Sequence, residues 1–278
     1  MKKSVLVTGV SQGIGRGIAE KFLNEGFKLY GTFNQGKSKA EELIKKYGND
    51  NVKLFGPYDF TNLNDSKEFA KKALEFNYDS VVCNAGMFSE NDDFNNFDLE
   101  DFTKTMNCNF YTPLIITTYL KDNINEGGSI VIVSSNDAYP GAFSSMSYSI
   151  SKSALLSLMK CLSVNYGAKK IRVNSVAPGA IDTAMNTEEQ MKISPYFSPI
   201  ARVGTPIDVA KVVFFLSSDE AGFISGENIT IDGGYSIESV LLKSEADPDL
   251  SILLRTFISH PEIIEVIKDY SKTRNLKI

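Results

Sequence analysis

The chain has 278 residues, of which 42% are hydrophobic and 23% charged, and its formal net charge is -5. This length suffices for one large domain with a substantial core, and the acidic balance argues against nucleic acid as the main partner. No apolar run approaches the ~20 residues that span a bilayer, so we expect no membrane association. The first residues lead into a strand-like run rather than a signal-peptide core, which favours a cytoplasmic protein.

Three cysteines and one histidine limit the chemistry that is available. Cys83, Cys108 and Cys161 form no CxxC motif and are typical of reduced thiols in the cytoplasm. His260 is the single histidine, so the chain offers few ligands for a zinc site and only one possible histidine for a Ser-His-Asp triad. We therefore predict no metal site.

Short β-rich runs alternate with longer helical patterns. Strands are expected at residues 5–8, 29–33, 52–58, 80–84, 130–134, 172–177 and 228–231, and helices at 14–24, 38–47, 63–76, 99–120, 148–166 and 206–216. The alternation predicts an α/β fold with right-handed crossovers and a doubly wound, parallel seven-stranded sheet. Residues 1–235 would form this domain, with a mobile loop and a short helix at 182–204. Residues 236–278 would form a helical C-terminal extension.

A glycine-rich turn, TGVSQGIG at residues 8–15, lies between the first strand and the first helix. Glycines there allow a tight turn and a close approach of the backbone to a pyrophosphate, which the helix N-terminus also favours. Many such turns only cap helices, but this position favours a nucleotide site. The expected cofactor contacts come from Gly9, Ser11, Gln12, Gly13, Ile14 and Gly15.

The end of the second strand distinguishes NADP from NAD. An acid there would bind the ribose 2′-OH and repel a 2′-phosphate. Residues 30–39 contain no acid and offer Asn34, Lys37, Ser38 and Lys39. We therefore predict NADP, with Asn34 and Lys37 as contacts. The alternative is that the lysines are merely solvated at a helix start.

The most informative pattern is Tyr148 followed four residues later by Lys152, with Ser135 thirteen residues upstream. On a helix, the phenol and the ammonium group share a face, and the ammonium is expected to lower the pKa of the phenol for acid–base work. Ser135 follows a buried strand, and Pro140 and Gly141 let the chain fold back towards Tyr148.

A second copy of the pattern, formed by Ser153, Tyr166 and Lys170, provides a control. Ser153 and Tyr166 would share one helix, which at ~1.5 Å per residue separates them by ~20 Å. We therefore interpret this copy as accidental.

Across residues 3–235 these features resemble the short-chain dehydrogenase/reductase family, in particular members similar to 3-oxoacyl-ACP reductases. Residues 8–15 look like the TGxxxGxG loop of the family, and residues 83–86 look like its NNAG signature with Cys83 in place of the first Asn. Asn109, Ser135, Tyr148 and Lys152 match the Asn-Ser-Tyr-Lys tetrad of the family. Asn107 is a rival for the asparagine position, but the family register favours Asn109. The further residues that the resemblance assigns to the cofactor are Asp59, Asn84, Ala85, Gly86, Pro178, Gly179, Ile181 and Thr183. Gly226 and residues 232–234 look like the closing strand of the family.

The resemblance also implies roles for the tetrad. Tyr148 would donate the proton in carbonyl reduction and accept it in alcohol oxidation, while Ser135 orients the substrate oxygen. Lys152 would lower the tyrosine pKa and bind the nicotinamide ribose, and Asn109 would position a water molecule. The implied function is NADP-dependent reduction of a ketone or aldehyde, or the reverse reaction. The alternatives are a catalytically idle nucleotide-binding sensor or scaffold, and a nucleotide-sugar epimerase or dehydratase, which the short segment 182–204 disfavours.

Two further expectations concern apolar residues. Candidates for the substrate pocket are Phe143, Met146, Met185, Met191, Tyr196 and Phe197, although such residues are almost as often ordinary core. Helices 99–120 and 148–166 carry more apolar residues than one core-facing stripe requires, among them Tyr111, Leu114, Leu155, Leu158 and Met159. Because these helices pair across subunits in the resembling family, we expect a homotetramer or a homodimer.

Overall fold

Parallel strands form the centre of the molecule in a computed structural model that describes residues 2–89, 92, 94–95, 97–141 and 145–237. Within these ranges the strands are β1 Ser4–Val7, β2 Lys28–Thr32, β3 Val52–Phe55, β4 Tyr78–Cys83, β5 Ile124–Val133, β6 Arg172–Pro178 and β7 Asn228–Ile231. They form one seven-stranded sheet in the order β3-β2-β1-β4-β5-β6-β7. The predicted doubly wound α/β fold is confirmed.

Helices cover both faces of this sheet. Their bounds are α1 Gly13–Asn24, α2 Lys37–Tyr47, α3 Leu63–Ala73, α4 Leu99–Met106, α5 Thr112–Tyr119, α6 Met146–Tyr166, α7 Glu188–Phe197 and α8 Pro206–Ser217. Strand β1 shows how the two cores divide. Val5 and Val7 face the core that includes α1, α2 and α8, whereas Leu6 faces the core that includes α3, α5 and α6. The short helix expected within 182–204 is α7.

The strand order reverses between β1 and β4, because β1 leads to β2 on one side and β4 leads to β5 on the other. Ligands of open α/β sheets bind at such a reversal, in the crevice outside the carboxyl ends of the strands. The residues that follow these ends are Thr8 after β1, Asn84 after β4, Ser134 and Ser135 after β5, and Gly179 after β6.

Two strands differ from the prediction in length. Strand β3 ends at Phe55 rather than at residue 58, because Gly56 bends the chain and Pro57 has no N–H to donate to the sheet. Strand β5 begins at Ile124, several residues earlier than expected, and Ile124 pairs with Tyr78 across a register shift. The exposed polar residues after Ile124 hid this part of the strand from the apolar pattern.

The predicted helix 99–120 is interrupted in its middle. Helix α4 ends at Met106, a π-helical turn spans Asn107–Tyr111, and α5 follows. Pro113 has no N–H for the carbonyl of Asn109, four residues earlier, so a regular α-helix would lack a hydrogen bond there. The extra residue in the turn instead lets the Thr112 N–H bond to the Asn107 carbonyl.

Most of the extra apolar residues predicted on α6 are buried within the chain. They therefore do not support the prediction of a subunit interface. Leu155, Leu158 and Met159 are 1%, 8% and 1% exposed and belong to the core on the α6 side of the sheet. The helix is apolar over a wide arc because it packs against β6, α4 and the π-helical turn at once. The exposed apolar side chains of α6 include Ile150 and Val164.

Some predictions fall beyond the described ranges. Phe143 and nearly all of the extension 236–278 lie outside the described residues, so their predicted roles stay predictions. Within the ranges that the structure covers, no helix combines the length and the apolar character needed to cross a membrane.

Candidate active site

Ser135 and Tyr148 lie together at the carboxyl end of β5. Ser135 is two residues beyond the end of the strand, and Tyr148 lies in the first turn of α6. The chain between them folds back, and the Ser135 hydroxyl lies close enough to the Tyr148 phenol to lower its pKa. Both side chains are buried, at 6% and 9% exposure. The structure thus brings these two hydroxyls together as the sequence predicts.

Lys152 lies one helical turn after Tyr148. Its Nζ lies 5.4 Å from the centroid of the Tyr148 ring and donates a hydrogen bond of 3.0 Å to the Val133 carbonyl. The Ser134 hydroxyl donates to the Lys152 carbonyl at 2.9 Å, which ties this turn of α6 to the end of β5. A buried ammonium group therefore lies beside a buried phenol and a serine hydroxyl.

The control pattern of Ser153, Tyr166 and Lys170 does not form such a cluster. The Tyr166 hydroxyl donates to the Thr117 carbonyl in the core. Lys170 lies beyond the end of α6 and forms an exposed ion pair of 2.7 Å with Glu126. Ser153 donates to the Ala138 carbonyl and does not contact Tyr166. Spacing alone is therefore insufficient, and the strand-borne serine distinguishes the two patterns.

The protonation of the Tyr148–Lys152 pair differs from the expectation. Burial raises the pKa of Tyr148 to about 12; the hydrogen bond with Ser135 opposes this rise, and the Asp137 carboxylate adds to it. Burial likewise lowers the pKa of Lys152 to about 8, opposed by Cys108 and Asp137. The expected lowering of the phenol pKa is not the net direction for the chain by itself, because desolvation is the largest cause and raises the pKa. At neutral pH the pair consists of a neutral phenol, which can donate a proton, and an ammonium group.

Asn109 lies in the π-helical turn and is 1% exposed. Its Oδ1 accepts from the Met87 N–H at 2.8 Å, and its Nδ2 donates to the Met87 carbonyl and to Ser151 Oγ, both at 3.0 Å. A Cβ added at Gly86 would lie 3.3 Å from Asn109 Oδ1 and 3.4 Å from Lys152 Nζ, so these groups converge at Gly86. The rival Asn107 donates to the Thr61 carbonyl at 2.8 Å instead.

The glycine-rich turn has the geometry of an anion cradle. Gly9 and Gly13 have φ values of +75° and +58°, and a Cβ at Gly15 would lie 2.0 Å from the Gly9 carbonyl oxygen. Helix α1 begins at Gly13 with no side-chain cap from Gln12 and no acid in its first turn. Its N-terminal N–H groups and its dipole thus favour a phosphate group. Ser11 and Ile14 belong to the same turn, which places all six predicted contacts around one helix N-terminus.

Asn84 ties the turn after β4 to the glycine-rich turn. Its Nδ2 donates to the Thr8 carbonyl at 2.9 Å and to the Gly9 carbonyl at 3.3 Å. The backbone N–H groups of Asn84 and Ala85 both donate to Thr8 Oγ1 at 2.9 Å. Cys83 is buried in β4, where burial raises the pKa of its thiol to about 12. This departure from the NNAG pattern leaves the contacts between the two turns intact.

Two segments with predicted cofactor contacts lie beyond the ends of strands β2 and β3. Asn34 and Lys37 are exposed just beyond β2, and Lys37 lies 3.9 Å from Glu41. Lys39 Nζ donates to Gln12 Oε1 at 3.3 Å, so this cation faces the glycine-rich turn. Asp59, beyond β3, accepts from the N–H and the hydroxyl of Thr61 at 3.0 and 2.8 Å and caps its own turn.

The residues after β6 lie across from the glycine-rich turn. Strand β6 ends at Pro178, and the Gly179 N–H donates to the Ile231 carbonyl at 3.0 Å. Ile181 is buried and pairs with Gly204 in an isolated bridge. Thr183 lies beside Gly13, since a Cβ added to that glycine would be 3.3 Å from the Thr183 methyl group. A cavity of about 420 Å³ lies beside this segment, lined by Ala180, Ile181, Ile200, Arg202, Gly204, Asp208, Thr230, Ile231, Asp232, Gly233 and Gly234.

Three residues that sequence reasoning missed lie next to Tyr148. The Phe88 ring centroid lies 5.6 Å from that of Tyr148. Asp92 is 2% exposed and accepts from the backbone N–H groups of Ser147 and Tyr148. Asp137 follows Ser135 by two residues, a proximity that could have been noticed in the sequence. Asp92 is too far from Tyr148 in the chain for any spacing to have revealed it.

Comparisons with known proteins find similar sequences along most of the chain. The family model described as enoyl-(acyl carrier protein) reductase matches residues 9–236. Versicolorin reductase 1 of Aspergillus parasiticus is 34% identical over 255 residues, which cover 84% of this chain and 95% of that protein. An uncharacterized oxidoreductase of Thermotoga maritima is 34% identical over 247 residues, covering 84% of this chain and 96% of its own length.

Solved structures are similar as well. A short-chain dehydrogenase/reductase from Serratia marcescens is 28% identical, with a TM-score of 0.78 over 84% of this chain and 98% of its own. A blue fluorescent protein from a metagenomic library, solved in complex with NADPH, is 27% identical, with a TM-score of 0.78 over 84% of this chain and 97% of its own. In sequence and in fold, these similarities cover 84% of the chain.

Proposed function

This chain belongs to the short-chain dehydrogenase/reductase family and is an NAD(P)-dependent oxidoreductase, and we propose that it uses NADP to reduce a ketone or aldehyde to an alcohol, or catalyses the reverse. The observation that carries the proposal is the cluster of Ser135, Tyr148 and Lys152 at the carboxyl end of β5. A proton donor, a hydroxyl and a buried cation lie at the sheet edge where the glycine-rich turn also lies.

The chemistry of carbonyl reduction fits these groups. The bound nicotinamide supplies the hydride, and negative charge develops on the substrate oxygen. Tyr148 donates a proton to that oxygen, and in the reverse direction it accepts the alcohol proton. Its raised pKa of about 12 keeps the proton on the phenol at neutral pH, which suits the donor role. Ser135, beside the phenol, orients the same oxygen.

Lys152 and Asn109 support the phenol. The Lys152 ammonium group places positive charge beside Tyr148 and is the group that we assign to the nicotinamide ribose. Asn109 bonds to both backbone groups of Met87 and to Ser151, and Ser151 in turn donates to the Tyr148 carbonyl at 2.7 Å. Asn109 thus fixes the first turn of α6, next to the proposed path of the proton.

The residues of the nucleotide site fit a dinucleotide. The uncapped N-terminus of α1 and the glycine-rich turn would hold the pyrophosphate, and Asn84, Ala85 and Gly86 form the neighbouring wall. Asp59 is assigned to the adenine, Asn34 and Lys37 to the ribose phosphate, and Pro178, Gly179, Ile181 and Thr183 to the nicotinamide.

The preference for NADP rests on charge. Residues 30–39 offer no carboxylate to bind a ribose 2′-OH, and Lys39 faces the glycine-rich turn through Gln12. A 2′-phosphate would therefore meet cations rather than an acid. Two similar structures, the metagenomic blue fluorescent protein and BdcA, were solved in complex with NADPH.

We also propose a homo-oligomer, a tetramer or a dimer, that functions in the cytoplasm. Tyr111, Ile150 and Val164 are 41%, 45% and 82% exposed, and burial between subunits would remove this apolar area from water. All three cysteines are free thiols, two of them buried, which suits a reducing compartment.

A spectroscopic screen of NADPH consumption over a panel of ketones and aldehydes tests the proposed reaction. We expect Tyr148→Phe to lower turnover by about 10²- to 10⁴-fold, the usual contribution of a general acid. The affinity for NADPH should change little, because the ring remains. Tyr166→Phe is the matched control, since it removes a buried tyrosine hydroxyl from the same helix.

The screen also separates an enzyme from an idle binding module. A binding module would bind NADPH without consuming it with any carbonyl. Full activity of Tyr148→Phe, or an equal loss in Tyr166→Phe, would contradict the assignment of the proton donor.

A further inference from the structure

Phe88 places an aromatic ring directly beside the proton donor. It follows the end of β4, and its ring centroid lies 5.6 Å from that of Tyr148, with 59° between the ring planes. Aromatic rings at such separations attract each other, so this contact holds the two rings together. Tyr148 is 9% exposed, whereas Phe88 is 42% exposed. Phe88 therefore presents apolar ring surface to solvent next to a phenol that is itself covered.

The backbone on both sides of Phe88 is held in place. The N–H and the carbonyl of Met87 both bond to the Asn109 side chain, at 2.8 and 3.0 Å. Ser89, on the other side, is buried. The exposure of the Phe88 ring is thus a property of an anchored segment. A ring that is already positioned loses little freedom when a ligand packs on it, which favours binding.

The turn after β4 runs from the cofactor side of Tyr148 to Phe88. A Cβ added at Gly86 would lie 3.4 Å from Lys152 Nζ, the group that we assign to the nicotinamide ribose. Two residues later, Phe88 contacts the Tyr148 ring. A substrate oxygen that accepts the Tyr148 proton lies about 2.7 Å from the phenol oxygen. A ring bonded to the carbonyl carbon of that substrate is then within reach of the Phe88 ring.

We propose that Phe88 contacts an aromatic ring of the substrate, so that the compound reduced at Tyr148 is an aryl ketone or an aryl aldehyde. This inference rests on the proposed function, because it places the reacting carbonyl beside Tyr148. An aryl group covers the exposed part of Phe88 and extends the aromatic pair that Phe88 forms with Tyr148. A saturated ring of the same size gains the burial of apolar surface but not the interaction between aromatic rings.

A matched pair of ketones tests the inference by kinetics. Acetophenone and 1-cyclohexylethanone are both methyl ketones with a six-membered ring, which is flat in the first and puckered in the second. The measured quantity is the ratio of their kcat/KM values with NADPH, and comparing this ratio between variants cancels the intrinsic reactivity of the ketones. We expect Phe88→Leu to lower the ratio of acetophenone to the cyclohexyl ketone about fivefold, equivalent to about 1 kcal/mol, because leucine keeps an apolar contact but removes the ring.

Phe223→Leu is the matched control, since it also removes an exposed phenylalanine ring. Phe223 follows the turn that contains Asp219, and Asp219 pairs at 3.3 Å with Lys3, the residue before β1. The control therefore lies at the amino end of the sheet, opposite the edge that carries Tyr148. It should leave the ratio unchanged.

A binding measurement keeps the inference separate from the proposed reaction. Saturation-transfer NMR of both ketones with the protein and NADP⁺ measures their affinities without turnover, because the oxidised cofactor has no hydride to give. A ratio of affinities that falls in Phe88→Leu but not in Phe223→Leu supports the inference, even where neither ketone is reduced and the reductase proposal fails. The absence of binding by both ketones would overturn it. A ratio that stays unchanged in Phe88→Leu would also overturn it, even if both ketones lose activity equally, because Phe88 would then only support Tyr148.

Discussion

Replacing Asp92 with alanine should weaken both the fold and the catalytic turn of α6. The carboxylate accepts from the Ser147 N–H at 2.8 Å, from the Ser147 hydroxyl at 2.6 Å and from the Tyr148 N–H at 3.2 Å. Ser145, the residue before the helix, provides no side-chain cap. Asp92 therefore caps the helix that carries Tyr148 from a distant part of the chain.

The size of the effect follows from these contacts. Loss of an N-cap costs about 0.5–2 kcal/mol, and each buried donor left unpaired costs about 1–3 kcal/mol. Because water can enter part of the space, we expect Asp92→Ala to lower the free energy of unfolding by about 2–4 kcal/mol. Displacement of the first turn of α6 should also lower kcat at least about tenfold, since small errors in position are costly to catalysis.

Urea unfolding and steady-state kinetics with NADPH measure the two effects. Asp98→Ala is the matched control, because Asp98 caps α4 by accepting from Glu100 and Asp101 N–H groups at 2.7 and 3.1 Å on an exposed surface. It should cost about 1 kcal/mol and leave kcat unchanged. If Asp92→Ala costs no more stability than Asp98→Ala, or keeps full kcat, then the capping argument is wrong.

Three further predictions concern the cofactor, pH and assembly. The unmodified protein should bind NADPH more tightly than NADH. Asn34→Asp should shift the ratio of the two affinities towards NADH by about tenfold, because its carboxylate repels the 2′-phosphate. Tighter binding of NADH by the unmodified protein would contradict the charge argument. Carbonyl reduction should fall as the pH rises through about 8, where Lys152 loses its proton while Tyr148 keeps its own up to about 12. A rate that stays constant up to pH ~10 would show that the charge of Lys152 is not needed. Light scattering should give a multiple of the chain mass that Val164→Glu reduces, and a monomeric mass for the unmodified protein would refute the assembly proposal.

The sheet could be predicted from the sequence because its signals are local. Apolar runs mark the strands, and their alternation with helical patterns is enough to set the parallel topology. The break at Asn107–Tyr111 was missed because the apolar period continues through it, although Pro113 was a visible warning. The prediction that Leu155 belongs to an exposed apolar patch was wrong for a related reason. Periodicity shows that a side chain is apolar, but not how many neighbouring elements cover it.

The site could be predicted only in part. The juxtaposition of Ser135 and Tyr148 followed from a strand, a turn and a helix, all of which leave traces in the sequence. The direction in which the Tyr148 pKa shifts could not be predicted, because its largest cause is burial, which depends on the whole tertiary structure. Asp92 contacts α6 across 55 residues of chain, a distance at which no sequence spacing carries information.

The π-helical turn at Asn107–Tyr111 makes the position of Asn109 in the candidate active site depend on the length of the chain. A deletion of one residue from this turn would restore an ordinary helix and would rotate everything on one side of it by about 100°, the angle per residue at 3.6 residues per turn. Asn109 could then no longer reach both backbone groups of Met87 while α5 keeps its place against the sheet. Insertions and deletions should therefore be tolerated far less here than substitutions, and in laboratory evolution this short segment should keep its length even where its residues change.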